Sequence, residues 1–383
     1  MDFSIPRELL DYKKSVVEFA QSNLNSSFVE DDKACRFNRK DWNKCAFFGI
    51  QGLAAPKNFN KDNADIDMVR ATLAMEGLGY GYKDNGLPLA LSAQMWTVQL
   101  PLVDFGTEAQ KNAYLPNLVS GNWIASHALT EPHAGSDVFS MQTMAEKVTG
   151  GYVLNGKKCL ISLAPISDVF LVFANTNPKL GKWGITAFLV ERGTKGFTTS
   201  PNKEKMGLRT VPIGDMVFKD CFVPASSVLG KEGAGMSIAN HSLEYDRCSI
   251  LACQLGAMER QLEETIQFAK TRKQFGKSIG NFQAVSHRIA DMKLRLETSR
   301  LLLYKVAWLK SKGKSAMMEA ALLKLQLSEC FVASSLDAVR THGGAGYLTE
   351  NEVERNLRDA VGGLIYAGTS DIQRNIIASL LGV

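Results

Sequence analysis

Strand-forming text is confined to one block of this chain. Residues 169–174, 185–190 and 216–218 are short β-branched or aromatic runs bounded by Gly, Asn, Pro or Asp, and residues 150–158 carry the Asn155-Gly156 pair favoured in a tight hairpin. From Pro6 to about Gly121, and again beyond Gly235, helical spacing replaces them. Ile289, Met292, Leu296, Leu303 and Val306 share one apolar face, and Leu322, Leu325, Val332, Leu336 and Val339 another; both read as core or helix–helix contacts. The order is α, then β, then α: an α+β chain whose middle part is expected to form a small barrel or sandwich. At 383 residues it has room for two or three domains. Pro224, Gly230, Gly233 and Gly235 punctuate the last transition, and the expected boundaries are 1–121, 122–232 and 233–383.

Composition removes several classes. With 45% hydrophobic and 22% charged residues, the chain is neither disordered, collagen-like nor a disulfide scaffold. A net charge of +5 suits acidic small molecules or an acidic partner protein. It is too diffuse for nucleic acid, and no basic stretch interleaved with aromatics is present. The seven cysteines are odd in number and form no CxxC pair, as expected in a reducing cytoplasm. The opening Met1-Asp2-Phe3-Ser4-Ile5-Pro6 lacks the basic and apolar segments of a signal peptide. No apolar run approaches the roughly 18 to 20 residues of a membrane span. The expectation is a cytoplasmic protein that does not enter a membrane.

The five histidines, His127, His133, His241, His287 and His342, show no HExxH or other metal-ligand spacing, so no metal is expected. There is no GxSxG elbow and no P-loop. Gly77, Gly79 and Gly81 miss the GxGxxG spacing, and no strand precedes them.

Three segments look organised for a ligand. Leu129-Thr130-Glu131-Pro132-His133-Ala134-Gly135-Ser136-Asp137 combines hydroxyls with a glycine that permits close backbone approach, which suits a polar, anionic ligand; an ordinary capped turn has the same composition. Arg272-Lys273-Gln274-Phe275-Gly276-Lys277 sets cations beside an aromatic ring. His342-Gly343-Gly344-Ala345-Gly346-Tyr347, with Tyr366-Ala367-Gly368-Thr369-Ser370-Asp371-Ile372-Gln373-Arg374, places glycines between amphipathic helices.

Together these segments resemble the acyl-CoA dehydrogenase family over essentially the whole chain. Residues 128–137 are similar to its first signature and 343–359 to its second. Arg272 to Gly276, Phe282-Gln283, Gly368-Thr369-Ser370, Gly106-Thr107-Glu108-Ala109-Gln110-Lys111 and Tyr114-Leu115-Pro116 fall where the family has them. The resemblance implies an N-terminal helical domain, a middle β domain and a C-terminal four-helix bundle, assembled as a homotetramer. It implies FAD and oxidation of a thioester at Cα–Cβ. His127, Ala128, Leu129, Thr130, Gly135, Ser136 and Ser162 would line the flavin of their own subunit. Arg272, Phe275, Gln283, Arg340 and Gly344 would reach a neighbour's FAD, and Thr369 and Asp371 the adenosine diphosphate part. The thioester carbonyl would be held by the Ala367 N–H and a ribityl hydroxyl, which stabilises enolate-like charge.

The catalytic base is where this chain departs from the commoner pattern. Many relatives carry a Glu directly before Gly-Thr-Ser, and here that residue is Ala367. A smaller branch, including isovaleryl-CoA dehydrogenases, places the base before an Arg on the helix that opens the last domain. The matching text is Leu243-Glu244-Tyr245-Asp246-Arg247, and ungapped counting back from Arg272 selects Asp246. Glu244 is the alternative, and both side chains facing solvent or pairing with Arg247 is another. A base there must lie within hydrogen-bond reach of the α proton, with a pKa raised by an apolar pocket. Arg340 stands where the family has Gln, and His127 where many relatives have an aromatic residue; a cationic imidazole at 127 would stabilise reduced oxygen species, a polar wall residue would not.

Ala164-Pro165-Ile166-Ser167-Asp168-Val169-Phe170, Ala174-Asn175-Thr176-Asn177-Pro178 and the opening Met1-Asp2-Phe3 are similar to the branch that oxidises prolyl groups tethered to carrier proteins. The resemblance then implies a small acyl or aminoacyl thioester, on a carrier protein or on CoA, with electron-transfer flavoprotein or O2 as acceptor. Short or branched acyl-CoA is the neighbouring alternative. A flavin-binding relative without dehydrogenation, a monooxygenase or a binding module, is the alternative of another class.

Overall fold

The computed structural model describes residues 4–383, so the Met1-Asp2-Phe3 opening lies outside the described residues. Helices fill the N-terminal third. Arg7–Asn23 and Met68–Gly81 are followed by a nearly continuous rod, Gly86–Gln94, a π-helical turn Met95–Gln99, and Leu100–Phe105. A capping box then starts Glu108–Val119: the Thr107 hydroxyl accepts from the Gln110 N–H at 3.2 Å, and the Gln110 side chain accepts from the Thr107 N–H at 2.9 Å.

The clustered glycines of Met68–Gly81 serve packing. A Cβ on Gly79 would lie 2.0 Å from the Cys253 carbonyl oxygen, and one on Gly256 would lie 2.1 Å from that of Glu76. Two helices thus meet backbone to backbone, which only glycine permits. At their crossing Arg260 donates to the carbonyls of Gly79, Tyr80 and Tyr82 at 2.6, 3.0 and 2.7 Å, satisfying the helix end.

The middle block is an eight-stranded mixed sheet: β1 Ala125–Ala128, β2 Met144–Val148, β3 Gly151–Ser162, β4 Val169–Asn175, β5 Ile185–Glu191, β6 Phe197–Thr199, β7 Ile213–Pro224 and β8 Val228–Leu229. The hydrogen-bonded order is β6-β7-β3-β2-β4-β5-β8, with β1 parallel to β4. Phe170 of β4 and Phe197 of β6, four strands apart in that order, meet edge to face at 4.8 Å. The sheet therefore curls around one face and packs the other on helices; β4 sends Phe170 and Val172 inward, and Val169, Leu171 and Phe173 to the helical side.

The Asn155-Gly156 pair makes no turn. β3 runs straight through it, and the register against β7 shifts between Leu154 and Gly156. A Cβ on Gly156 would lie 2.5 Å from the Thr143 hydroxyl. The glycine lies opposite a bulge whose extra residue is on β7 and lets Thr143, just before β2, come close, and the chain reverses earlier, at Gly150.

The last third is helical: Gly235–Thr271, Gln283–Ser311, Met317–His342, Val353–Gly363 and Ser370–Leu381. Met292, Leu296, Leu303 and Val306 are buried as the spacing predicts. The second predicted stripe is displaced. Leu322 is exposed, and Leu325, Val332, Leu336 and Val339 sit at the flanks, while Ala320, Leu323, Leu327, Phe331, Ser334, Ser335 and Ala338 form the buried face. Small residues let the helices approach closely there, so the contact face is less apolar than its borders.

Candidate active site

Asp246 lies in the long helix Gly235–Thr271 and is 3% exposed. Its Oδ1 is buried without a hydrogen-bond partner. Burial pushes its carboxyl up to about 7, against the opposing pull of the Arg247 guanidinium. Arg247 itself turns to the 366–370 loop, where its Nε donates to the Ala367 carbonyl at 3.2 Å. Gln373 donates to the same oxygen at 3.3 Å and to that of Gly368 at 3.0 Å. These bonds hold Ala367 at φ +52°, a left-handed conformation costing an alanine about 1 kcal/mol. With its carbonyl so engaged, the Ala367 N–H donates to no group among the described residues. Thr369 caps the following helix, accepting from the Ile372 N–H at 3.2 Å, and Asp371 pairs with Arg374 at 3.1 Å.

Glu244 is turned elsewhere. Its Oε2 is 3.0 Å from the Lys310 ammonium and accepts from the Ala316 N–H at 3.3 Å, tying the 311–316 loop to the long helix. Lys310 also lies 4.2 Å over the Tyr245 ring, which stacks on Trp96 of the π-helical turn at 6.0 Å. Two residues are about 200° apart on a helix, so the two carboxylates face different surroundings.

The first signature forms a wall at the end of β1. Lys158, fully buried, donates to the Leu129 carbonyl at 3.1 Å and pairs with Glu131 at 2.7 Å; Glu131 also accepts from the N–H groups of Gln142 and Thr143 at 2.6 and 3.0 Å. The Thr130 carbonyl accepts from the Cys159 N–H at 2.9 Å, and the Ser162 carbonyl from the Ser126 hydroxyl at 2.9 Å. Ala128 is buried, while Gly135 and Ser136 are exposed, and a Cβ on Gly135 would meet nothing. Sequence reasoning overlooked Lys158, whose signal is its place in the alternation Tyr152, Leu154, Lys158 on the inward face of β3.

His127 packs on Phe173 at 4.8 Å with its Nε2 buried and unpartnered. Burial, then the Lys158 charge, pushes its imidazole down to about 4. That direction favours the polar-wall reading of His127 over the cationic one.

The remaining candidates cluster elsewhere. Arg272 follows the long helix, 26 residues beyond Asp246 (272 − 246) and so about 39 Å along its axis. Phe275, at the tip of the hairpin Lys273–Gln274 and Lys277–Ser278, is 93% exposed with φ +51°. Gln283 is exposed at the start of Gln283–Ser311. Exposed Arg340 lies 3.7 Å from Asp337, and a Cβ on Gly344 would meet nothing. His342 stacks on Phe268 at 4.2 Å, bringing the glycine loop to this same end of the long helix. The structure thus unites Asp246, Arg247 and Ala367 and sets the Arg272 group far from them. Among the described residues no cluster has the composition of a metal site.

Similarity to known proteins runs over the whole chain. Three family profiles match in chain order: the acyl-CoA dehydrogenase N-terminal domain over residues 6–122, the middle domain over 126–221 and the C-terminal domain over 233–382. An L-prolyl-[peptidyl-carrier protein] dehydrogenase of Serratia sp. (strain ATCC 39006) is 40% identical over 100% of this chain and 99% of its own. The crystal structure of the prolyl acyl carrier protein oxidase AnaB superposes with a TM-score of 0.97 at 45% identity, covering 99% of this chain and 100% of that one. A structure of PigA with FAD and proline gives a TM-score of 0.96 at 40% identity, covering 100% and 99%.

Proposed function

Because the chain belongs to the acyl-CoA dehydrogenase family, we propose that it is an FAD-dependent enzyme that oxidises a prolyl or similarly small aminoacyl thioester carried on a carrier protein. One observation supports this above the rest: a buried, unpartnered carboxylate whose neighbour, Arg247, orients a peptide with an unused N–H. Asp246 is the base, and Glu244 is a structural anchor for the 311–316 loop. The domain boundaries stay at 1–121, 122–232 and 233–383.

The wall residues fit a flavin. His127 offers an orphaned ring nitrogen, and the space beside Gly135 is open. His127, Ala128, Leu129, Thr130, Gly135, Ser136 and Ser162 would hold it in their own subunit, with Thr369 and Asp371 toward the adenosine diphosphate. Arg272, Phe275, Gln283, Arg340 and Gly344 would reach the FAD of a neighbour in a homotetramer. When bound, FAD accepts the hydride that leaves Cβ of the substrate. Everything else falls to this chain. The Ala367 N–H binds the thioester oxygen and so acidifies the α carbon. Asp246, ionised above about pH 7, takes the α proton as that C–H bond breaks. The electron pair becomes the new Cα=Cβ bond, and Arg247 keeps the 366–370 loop in place without touching substrate.

Acceptor and carrier are read from one experiment. Anaerobic mixing of the holoenzyme with L-prolyl thioester on a phosphopantetheinylated carrier should bleach the flavin, and air or electron-transfer flavoprotein should restore its colour. Bleaching by CoA thioesters alone would move the substrate to short or branched acyl-CoA. Hydroxylated product, or a stable complex with no bleaching, would replace dehydrogenation by monooxygenation or binding.

A further inference from the structure

Gln254 follows Asp246 by eight residues on the same helix, about 12 Å along the axis. It is 7% exposed, its side-chain Nε2 donates to the Tyr366 hydroxyl, and its Oε1 is buried with no partner. The amide is pinned from behind, since a Cβ on Gly363 would lie 2.8 Å from Nε2. Helical side chains point back toward the N-terminus, so a glutamine reaches about 4–5 Å of that distance toward Asp246. By the same rule the aspartate leans away from Gln254, so the two head groups stand roughly 9 Å apart along the axis, a distance that a five-membered ring with a contact at each side would span. Tyr366 is fixed on the other side of the amide: its hydroxyl accepts from Gln254, and its ring lies 3.6 Å from a Cβ built on Gly362. Ala367, the proposed carbonyl donor, is the next residue in the chain.

A buried amide oxygen without a donor is a cost that a substrate N–H relieves and a hydrocarbon leaves standing. A prolyl group has such an N–H on the α carbon; a butyryl or isovaleryl group has none. We propose that Gln254, oriented by Tyr366, is the specificity-determining residue that selects an aminoacyl ring over a hydrocarbon acyl group by accepting a hydrogen bond from the ring nitrogen. The inference rests on the thioester reading above and deepens it.

The test compares two isosteric substrates on the same carrier protein, L-prolyl and cyclopentanecarbonyl thioester, which differ by NH against CH2. Flavin reduction by the holoenzyme is followed anaerobically for wild type, Gln254→Leu and Tyr366→Phe. Wild type should prefer prolyl, and in Gln254→Leu the ratio of second-order rate constants should fall at least about tenfold. Tyr366→Phe preserves volume and removes only the hydroxyl, so it should give a smaller fall and guards against a Gln254 variant that does not fold. The same preference should appear in dissociation constants measured in Asp246→Asn protein, where no turnover intervenes. A wild type that treats the two thioesters alike, or a ratio unmoved in both variants, overturns the inference and leaves the thioester reading intact. A wild type reduced by neither removes the reading and the inference together.

Discussion

At the scale of single residues the sharpest contrast is between two carboxylates two positions apart. Asp246→Asn should bind FAD yet lose at least about a thousandfold in flavin reduction, as expected when the proton acceptor is removed and orientation alone remains. Glu244→Gln should reduce flavin at a rate within about tenfold of wild type while losing roughly 1–2 kcal/mol of stability with its bond to Lys310; a dead Glu244 variant beside an active Asp246 variant would reverse the assignment. The titration has a definite sign. Asp246 is raised from an ordinary 3.8 to about 7, so the reduction rate at low thioester concentration should climb as pH rises through about 7. For stability, the folded protein holds this proton more tightly than the unfolded chain. The cost is absent below about pH 4, grows as pH rises through 7, and is then constant. Asp246→Asn should accordingly gain stability over wild type across that window, by an amount on the order of 2–4 kcal/mol, readable in thermal melts at pH 4 and pH 8. Counting from Arg272 makes Asp246 legible in the sequence, because a helix preserves register. Its separation from Glu244 is not legible, since the Lys310 and Ala316 partners of Glu244 lie more than sixty positions away.

At the scale of elements, the first signature is a loop held by a buried ion pair. Removing one partner strands the other charge. Lys158→Met should therefore cost about 3–5 kcal/mol and loosen FAD, whereas the double variant Glu131→Gln/Lys158→Met should recover much of the loss. Chemical denaturation of the four proteins of that cycle checks it, and equal costs in the single and double variants would show that the pair does not act as a unit. The signature's residues were readable in the chain, but the cation that holds them was not, because Lys157-Lys158 looks like a solvated pair until the strand's alternation is traced. The Asn155-Gly156 pair fails as a hairpin signal for a related reason. Local turn propensity is outweighed by the ladder with β7, which continues on both sides of the bulge. In Met317–His342 the periodicity was correct and its phase was not, because Ser334, Ser335 and Ala338 allow contacts closer than leucine would.

At the scale of the whole molecule, the residues proposed to hold the cofactor fall into two groups that one chain does not bring together. The proposed base Asp246 lies near the start of the long helix, and Arg272 with Phe275 about 39 Å further along it. An aromatic side chain 93% exposed at a strained φ is poorly explained in an isolated chain, and the proposed homotetramer would supply a neighbour to receive it. The α–β–α order was plain from periodicity, but the role of the exposed Arg272 group was not, since no pattern within one chain records which surfaces a second copy would cover. If FAD bridges subunits, its retention must depend on assembly. Sedimentation should find a tetramer that carries flavin, and dilution into monomers should release the cofactor. Arg272→Ala and Phe275→Ala alter exposed side chains, so the melting temperature of the apoprotein should move by no more than about 0.5 kcal/mol equivalent while the ratio of flavin to protein absorbance falls. His127→Ala should lower that ratio by another route, without changing the sedimentation of the apoprotein. A monomer that keeps its full complement of FAD would show instead that the Arg272 group serves something other than the cofactor, and the bridging arrangement would have to be abandoned.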